Sequence, residues 1–310
     1  MRQSNLVPYQ EGHVGTLRDL SKDLAEATAA GGMSVVRVEG RRRMAASGVV
    51  LSGDGLVVTA HHVLERDEEI QVGLAGGEKS AAKVLGRDPS TDLALLKLEA
   101  GKPGAAPWAE AAAARVGEIV LALGRPGNEV MATLGVVSAL EGSWRSPLGG
   151  SVDRYLQSDV VMYPGFSGGA LLTAEGKVIG VNTSGLLRGV SVALPTETVR
   201  RVAEALAKHG KIRRGYLGVG VQAVRIPETQ AKKVGQDTGL MVLTLEPESP
   251  ASKAGILIGD VLLALGEDAL ADLDGLMAAL SPDRVNQDLS ARLMRGGESH
   301  TVKVRIGERE

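Results

Sequence analysis

The residue best suited to nucleophilic chemistry is Ser167, which lies within the run Gly165-Phe166-Ser167-Gly168-Gly169. Glycines on both sides let a substrate carbonyl and backbone N–H groups approach a serine hydroxyl closely. The N–H groups of Gly165 and Ser167 are therefore candidates for an oxyanion hole, the donor pair that stabilises a tetrahedral intermediate. Taken alone, the run also fits the nucleophile elbow of an α/β-hydrolase or an ordinary glycine-rich β-turn.

A serine nucleophile needs a base, and the positions of the histidines separate these alternatives. His209 at a predicted helix end and His300 in a predicted hairpin turn follow Ser167, and both are interpreted as surface residues. The α/β-hydrolase order, with acid and base after the serine, therefore fits poorly. Upstream, the pair His61-His62 follows an apolar run, and Asp92 precedes another. The order His, Asp, Ser is that of chymotrypsin-type triads, which carry out acyl transfer.

Short apolar runs separated by glycine must position these side chains. After a helix predicted over 16–30, the runs are typical of β-strands, and Ser52-Gly53-Asp54-Gly55 indicates a hairpin turn. Many short strands with glycine turns predict two barrels or sandwiches in tandem, joined near 99–114 and closed by a helix over 196–209. The predicted strands are 35–38, 48–51, 56–59, 70–74 and 93–98, then 118–123, 132–139, 154–157, 177–181 and 190–194.

Composition limits the class of protein. The chain has 310 residues, of which 44% are apolar and 23% charged, so it is globular and long enough for two domains. It has no Cys, which excludes disulfides, a thiol nucleophile and cysteine metal sites, and no metal or cofactor is expected. The net charge of −2 gives no reason to expect nucleic acid. No membrane span is predicted, and with two Trp, four Tyr and one Phe the cores must be aliphatic.

Three motifs together resemble those of the protease domain of the HtrA/Deg family of serine proteases. Residues 59–63 (TAHHV) are similar to its T-N-A-H-V motif, and residues 88–94 (DPSTDLA) to its D-x-x-x-D-[LI]-A motif. Residues 165–171 (GFSGGAL) are similar to its G-N-S-G-G-P-L motif. The resemblance implies a mainly β fold, a chymotrypsin-like double β-barrel.

The resemblance also assigns roles to individual residues. It makes His62, directly before Val63, the catalytic base, and His61 a neighbour. Asp92 matches the acid of the triad, whereas Asp88 matches a turn residue. Ser167 matches the nucleophile.

The C-terminal part of the chain resembles a PDZ domain of the same family, an α+β fold. Residues 214–219 (RGYLGV) are similar to its carboxylate-binding loop, where successive backbone N–H groups bind a chain terminus. Residues 247–255 and 259–261 match its other hallmark segments. The resemblance assigns carboxylate binding to Tyr216, Leu217, Gly218 and Val219.

The sequence departs from the family pattern beside the nucleophile. Phe166 stands where Asn or Asp is usual, and Ala170 where Pro is usual. Phe166 cannot pair with a newly cut N-terminal amine, as the Asp at this position does in trypsin-like zymogens, so activation by such cleavage is not expected. Its ring either packs beneath the oxyanion turn, the interpretation we favour, or holds the turn in an inactive shape.

The walls of the S1 pocket are assigned by resemblance to residues 183–187 and 189–192. Their candidate lining residues bring no acidic side chain that would attract Lys or Arg. The sequence therefore predicts cleavage after medium aliphatic residues. The assigned S1 residues are Ser184, Val190 and Val192.

The predicted organisation is an N-terminal segment and helix over 1–33, a trypsin-like protease domain over 34–212 and a PDZ domain over 213–310. The implied activity is that of a serine endopeptidase that cleaves unfolded or misfolded proteins, with a PDZ domain that binds C-terminal or extended peptide segments. The alternative is a catalytically silent protease-like PDZ adaptor.

The resemblance further implies a trimer held by N-terminal residues and a location in the cell envelope. The sequence as given carries no apolar segment typical of a secretory signal, which by itself favours the cytoplasm and leaves the compartment open. The candidate trimer residues are Leu6, Val7, Pro8 and Tyr9.

Overall fold

The structure is a computed structural model that describes residues 12–101 and 103–308. The predicted trimer residues Leu6, Val7, Pro8 and Tyr9 lie outside the described residues. The chain divides into two units, Met1–Lys211 and Ile212–Glu310. In the described part of the chain, no helix is long and apolar enough to cross a membrane.

Helix α1 (Gly12–Gly32) opens the first unit and begins earlier than the predicted helix over 16–30. Its apolar stripe is buried only toward the C-terminal end. Ala27 is 8% exposed, whereas Leu17 and Leu20 are 67% and 42% exposed. The C-terminal half of α1 therefore contributes most to packing.

The first barrel is closed and antiparallel, and every core residue is aliphatic in the buried cluster that the structure describes. Its strand order is β1-β2-β3-β6-β5-β4, where the strands are β1 (Val35–Glu39), β2 (Ala46–Ser52), β3 (Leu56–Ala60), β4 (Ile70–Gly73), β5 (Lys79–Asp88) and β6 (Leu93–Leu98). The sequence did not predict β5, because KSAAKVLGRD lacks the apolar alternation of a half-buried strand.

The second barrel is also closed, with the order β11-β14-β13-β12-β7-β8. Its elements, with a separate β9–β10 pair, are β7 (Ile119–Gly124), β8 (Met131–Glu141), β9 (Trp144–Arg145), β10 (Ser151–Val152), β11 (Tyr155–Ser158), β12 (Ala170–Thr173), β13 (Val178–Thr183) and β14 (Ser191–Pro195). The four-residue β12 was not predicted, because it follows the glycine-rich turn with no separate pattern of its own. Helix α2 (Thr196–His209) ends where predicted, at Gly210 in the left-handed conformation, φ 72°.

The second unit contains a sheet in the order β16-β17-β18-β20-β21, with β19 paired to β18, and a short β15–β22 pair. Its elements are β15 (Gly215–Tyr216), β16 (Val219–Arg225), α3 (Glu228–Val234), β17 (Thr238–Leu245), α4 (Pro250–Lys253), β18 (Val261–Leu265), β19 (Asp268–Ala269), α5 (Leu273–Ala279), β20 (Asp288–Arg295), β21 (Glu298–Arg305) and β22 (Gly307–Glu308).

The predicted hairpin turn at His300 is wrong. His300 lies within β21, opposite Leu293 of β20. The turn is made instead by Gly296 and Gly297, whose φ angles are 57° and 85°. Two consecutive residues with positive φ favour glycine, which explains why the chain reverses there.

The buried Asp260, in the turn before β18, stabilises the second unit through Arg295 of β20. The guanidinium of Arg295 donates to both carboxylate oxygens at 2.7 Å, and the N–H of Leu257 donates at 2.8 Å. Burial alone would raise the pKa of Asp260, but these donors hold it below its ordinary value.

The single Phe of the chain belongs to the core of the second barrel. Phe166 is fully buried among residues that include Val120, Leu171 and Ile179. Its ring meets that of Tyr163 edge-on at 5.8 Å between centroids. The structure therefore places the aromatic ring beneath the turn that carries Ser167.

We expect Phe166→Ala to lower the free energy of unfolding of the first unit by about 3–5 kcal/mol, because a fully buried ring is replaced by a cavity. Tyr163→Ala is the matched control, since Tyr163 is 49% exposed, and its effect should be much smaller. Urea unfolding of the full chain measures both. Equal midpoints for the two variants would contradict an anchoring role for Phe166.

Candidate active site

The pairing of two strands in the first barrel brings His62 next to Asp92. His62 lies in the short 3₁₀ turn His61–Val63 that directly follows β3. β3 pairs with β6 in a register that sets Ala60 opposite Leu93. The N–H of His61 also donates to the carbonyl of Asp92 at 3.0 Å. The residues that flank these paired strand ends are therefore neighbours.

The carboxylate of Asp92 is buried and accepts hydrogen bonds from three donors. Its Oδ1 accepts from the N–H of His62 at 2.9 Å, and its Oδ2 lies 2.8 Å from His62 Nδ1. The hydroxyl of Thr183, at the end of β13, donates to the same Oδ2. These donors replace the hydration that a buried carboxylate loses. Thr183 belongs to the second barrel, so the two barrels meet at Asp92.

Ser167 lies in the turn between β11 and β12 and is 7% exposed. Its Oγ is 3.0 Å from Ser184 Oγ, and the N–H of Ser184 donates to it at 3.4 Å. Within the described ranges, no hydrogen bond joins Ser167 to His62. The structure thus brings His62 and Asp92 into contact and pairs Ser167 with Ser184.

Gly185 lies directly against the His62–Asp92 pair. A Cβ atom at Gly185 would be 2.7 Å from both His62 Nδ1 and Asp92 Oδ2. Any side chain there would therefore displace the pair or the main chain. Glycine at this position allows the 183–185 segment to cover the site.

The turn around Ser167 leaves two N–H groups, those of Gly165 and Ser167, without an acceptor among the described residues. The N–H of Phe166 donates to Tyr163 O at 3.0 Å, and that of Gly168 donates to Asn182 O at 2.8 Å. No residue that the structure describes accepts from the N–H groups of Gly165 or Ser167. These are the two donors that the sequence predicted for an oxyanion hole.

The neighbouring His61 and Asp88 have different surroundings from the His62–Asp92 pair. The carboxylate of Asp88 accepts from the N–H and hydroxyl of Ser90 and from the hydroxyl of Thr91, at 3.1, 2.5 and 2.6 Å, as a turn residue does. Burial lowers the pKa of His61 below its ordinary value, although the charge of Asp92 opposes this. The Nδ1 atom of His61 is buried and has no hydrogen-bond partner within residues 12–101 and 103–308.

The residues assigned to the S1 pocket lie on both sides of the chain reversal before β14. Ser184 is exposed and lies at Ser167, Val190 precedes β14 and is half-buried, and Val192 is buried in β14. Val192 pairs with Thr183 of β13 on one side and Gln157 of β11 on the other.

The predicted carboxylate loop lies between β15 and β16. Gly218 has φ 79°, and a Cβ atom there would be 2.2 Å from Ser249 Cβ, so only glycine fits. The carbonyls of Leu217 and Gly218 accept from Ala251 N–H and Glu246 N–H, each at 2.9 Å. Their own N–H groups have no acceptor in the described part of the chain. Tyr216, which ends β15, donates its hydroxyl to Glu246, and Val219 begins β16.

Sequence reasoning missed two contacts that define the site, the Thr183–Asp92 and Ser184–Ser167 hydrogen bonds. Both residues fall within a segment that was assigned only to the S1 wall. Thr183 and Ser184 are not part of a recognisable motif, so the sequence does not indicate that their hydroxyl groups bind Asp92 and Ser167. Among the residues described, no group of three or more His, Asp and Glu side chains has the arrangement of a metal site.

Two segments of the chain match known domain families. Residues 46–181 match the model of the trypsin-like peptidase domain. Residues 215–306 match the model of the PDZ domain.

Curated relatives are similar over both domains. A probable periplasmic serine endoprotease DegP-like of Marinomonas sp. (strain MWYL1) is 33% identical over 277 residues, which are 87% of this chain and 58% of the relative. A relative with the same name from Pseudomonas fulva (strain 12-X) is 36% identical over 280 residues, 86% of this chain and 57% of its own length. The chain thus spans 57–58% of the length of these relatives.

Solved structures are also similar to this chain over most of its length. The HtrA-type protease AlgW with tripeptide is 30% identical, with a TM-score of 0.75, over 93% of this chain and 97% of that one. The serine endoprotease from Yersinia pestis is 27% identical, with a TM-score of 0.76, over 98% of this chain and 100% of that one. The predicted fold class, a chymotrypsin-like double β-barrel followed by a PDZ domain, is confirmed. Because the similarity extends through both domains, the chain belongs to the HtrA/Deg family of serine proteases.

Proposed function

We propose that the chain is a serine endopeptidase in which Ser167 is the nucleophile, His62 the general base and Asp92 the acid that orients the base. The observation that carries this proposal is the buried Asp92 carboxylate bound to His62 Nδ1 at 2.8 Å, next to the turn of Ser167. A carboxylate at Nδ1 favours the tautomer whose Nε2 is free to accept a proton.

In the proposed reaction, Ser167 Oγ attacks a peptide carbonyl while His62 Nε2 takes its proton. The N–H groups of Gly165 and Ser167 donate to the oxyanion. His62 then protonates the leaving amine, the C–N bond breaks, and an acyl-enzyme remains on Ser167. Water that is deprotonated by His62 hydrolyses this ester and restores the hydroxyl. These reaction steps require Ser167 to exchange its hydrogen bond with Ser184 for a hydrogen bond with His62.

We expect Ser167→Ala and His62→Gln to lower kcat for cleavage of unfolded β-casein by about 10⁴-fold or more, because each removes a member of the triad. Labelling of the wild type by a fluorophosphonate should disappear in Ser167→Ala. His209→Gln is the matched control, because His209 is an exposed residue at the end of α2, and this variant should retain activity.

The silent adaptor remains the second candidate, and the Ser167–Ser184 hydrogen bond is the observation that favours it. A serine held by Ser184 and not bound to His62 is not activated. The same experiment separates the candidates: no labelling of the wild type, with β-casein left intact, would support the adaptor. Cleavage that persists in Ser167→Ala would contradict the assigned nucleophile.

The proposed S1 pocket includes Ser184, Val190 and Val192, none of which carries a charge. A charged P1 side chain would lose hydration there without gaining an opposite charge. We therefore propose that the enzyme cleaves after medium aliphatic residues in unfolded or misfolded chains.

A peptide library varied at P1 should give kcat/KM at least about tenfold higher for Val or Ile than for Lys or Arg. Val190→Asp places a carboxylate at the half-buried wall position and should raise the relative rate at Lys and Arg. Preference of the wild type for Lys or Arg would exclude the proposed pocket.

We further propose that the second unit binds peptide C-termini at Leu217 and Gly218, with Tyr216 and Val219 flanking them. Two adjacent N–H groups without acceptors suit a terminal carboxylate. β16, which begins at Val219, supplies a strand next to α5 along which a bound peptide would extend.

A decapeptide selected from a library with free C-termini should lose at least about tenfold in affinity when its terminus is amidated, because a charge-assisted hydrogen bond is removed. Gly218→Ala should lower the affinity for the free-acid peptide by a similar factor, because a Cβ atom at this position would displace the loop from Ser249. Gly297→Ala is the matched control, because Gly297 also has a positive φ, 85°, but lies in the β20–β21 turn. Equal affinities for the acid and the amide would contradict the proposal.

We also propose a location in the cell envelope and a homo-oligomeric assembly, a trimer by family resemblance. The names of the curated relatives describe periplasmic proteins, which supports the first proposal. The candidate trimer residues precede the described part of the chain.

A further inference from the structure

Ser47, in β2 of the first barrel, binds the turn that carries Ser167 in the second barrel. Ser47 is fully buried. Its hydroxyl donates to the carbonyl of Gly165 at 2.6 Å, and its N–H donates to the carbonyl of Ser167 at 3.2 Å. One residue thus binds the two carbonyls on either side of Phe166.

These bonds fix two peptide planes, because a peptide unit is planar and a bond to either end orients the whole plane. The plane between Gly165 and Phe166 is bound by Ser47 Oγ at its carbonyl and by Tyr163 O at its N–H. The plane between Ser167 and Gly168 is bound by Ser47 N–H and by Asn182 O. The plane that carries the N–H of Ser167 lies between these two, and its own carbonyl, that of Phe166, accepts from the N–H of Gly169 at 2.9 Å.

Gly165 is a member of the turn that this restraint acts on directly. Its φ is 91°, a region where glycine rotates with little steric penalty. A Cβ atom at Gly165 would be 2.5 Å from Pro126 Cβ, so a bulkier and stiffer residue does not fit. A hydrogen bond to the Gly165 carbonyl fixes the peptide plane that follows its Cα atom and thereby limits rotation of the plane before it, which carries the N–H of Gly165.

Ser47 is itself fixed by Arg125, in the turn after β7. The backbone N–H of Arg125 donates to Ser47 Oγ at 2.7 Å, which directs the hydroxyl hydrogen toward Gly165. The buried guanidinium of Arg125 donates to the carbonyls of Gly32 and Val35 at 2.8 and 2.7 Å. The end of α1 and the start of β1 are thereby connected to the Ser167 turn.

We propose that Ser47 is a positioning residue, whose hydroxyl keeps the N–H groups of Gly165 and Ser167 directed at the oxyanion. This inference rests on the peptidase function proposed above. Donors that are already oriented contribute most in the transition state and least in substrate binding. The loss of Ser47 should therefore change kcat and leave KM nearly constant.

The test compares Ser47→Ala with Ser80→Ala in the full chain. Ser80 serves as the control because it is also a buried serine of the first barrel that binds main-chain groups. Its hydroxyl donates to Ala81 O at 2.9 Å and accepts from Ala100 N–H at 3.1 Å. We expect Ser47→Ala to lower kcat by about tenfold or more, with KM nearly constant. Affinity for a peptide boronic acid, which places an oxygen in the oxyanion hole, should fall by a similar factor. Ser80→Ala should change neither quantity.

The outcomes are distinguishable. If wild-type labelling does not depend on Ser167, the proposed function fails and this inference fails with it. If the wild type is active and Ser47→Ala keeps its kcat and boronate affinity, the inference alone is overturned. If Ser47→Ala does not fold, Ser47→Cys replaces it, because a thiol is a weaker donor of similar shape. An unchanged kcat in Ser47→Cys would then overturn the inference, and a loss of kcat at constant KM would support it.

Discussion

The interaction on which the site depends is the buried carboxylate of Asp92. A charge removed from water is stable only where donors replace its hydration, and here they are the N–H and Nδ1 of His62 and the hydroxyl of Thr183. His62 and Asp92 belong to the first barrel and Thr183 to the second. The same bonds that satisfy the charge therefore orient the histidine and join the barrels.

A further contact between the barrels is made by Ser47, whose hydroxyl accepts from the N–H of Arg125 and donates to the carbonyl of Gly165. Asp92 of the first barrel accepts from the second, whereas Ser47 of the first barrel donates to the Ser167 turn of the second. Phe166 fixes that turn from below, by packing its ring into the second barrel. The turn is thus restrained by hydrogen bonds on one side and by apolar packing on the other, without the ion pair that an acidic residue would form there.

Elements of the fold could be predicted from the sequence where the pattern that defines them lies within a short segment of the chain. Strands with alternating or continuous apolar residues were predicted, and so was α2, because their periodicity is local. The strands β5 and β12 were missed, since a mixed sequence and a four-residue run are defined only by their neighbours in a closed barrel. His300 was placed in a turn because SHT resembles one, whereas the positive φ of Gly296 and Gly297 decides where that chain reverses.

The sequence alone determined the family, the order of the domains and the candidate residues His62, Asp92 and Ser167, because these are carried by contiguous motifs. Which side chains contact these residues depends on how the two barrels close and meet. Thr183 on Asp92, Ser184 on Ser167 and Ser47 on Gly165 are hydroxyl contacts between segments distant in the chain, between 17 and 118 residues apart. A hydroxyl has no periodic signature, and its partner is set by barrel closure and strand register, which are properties of the whole fold.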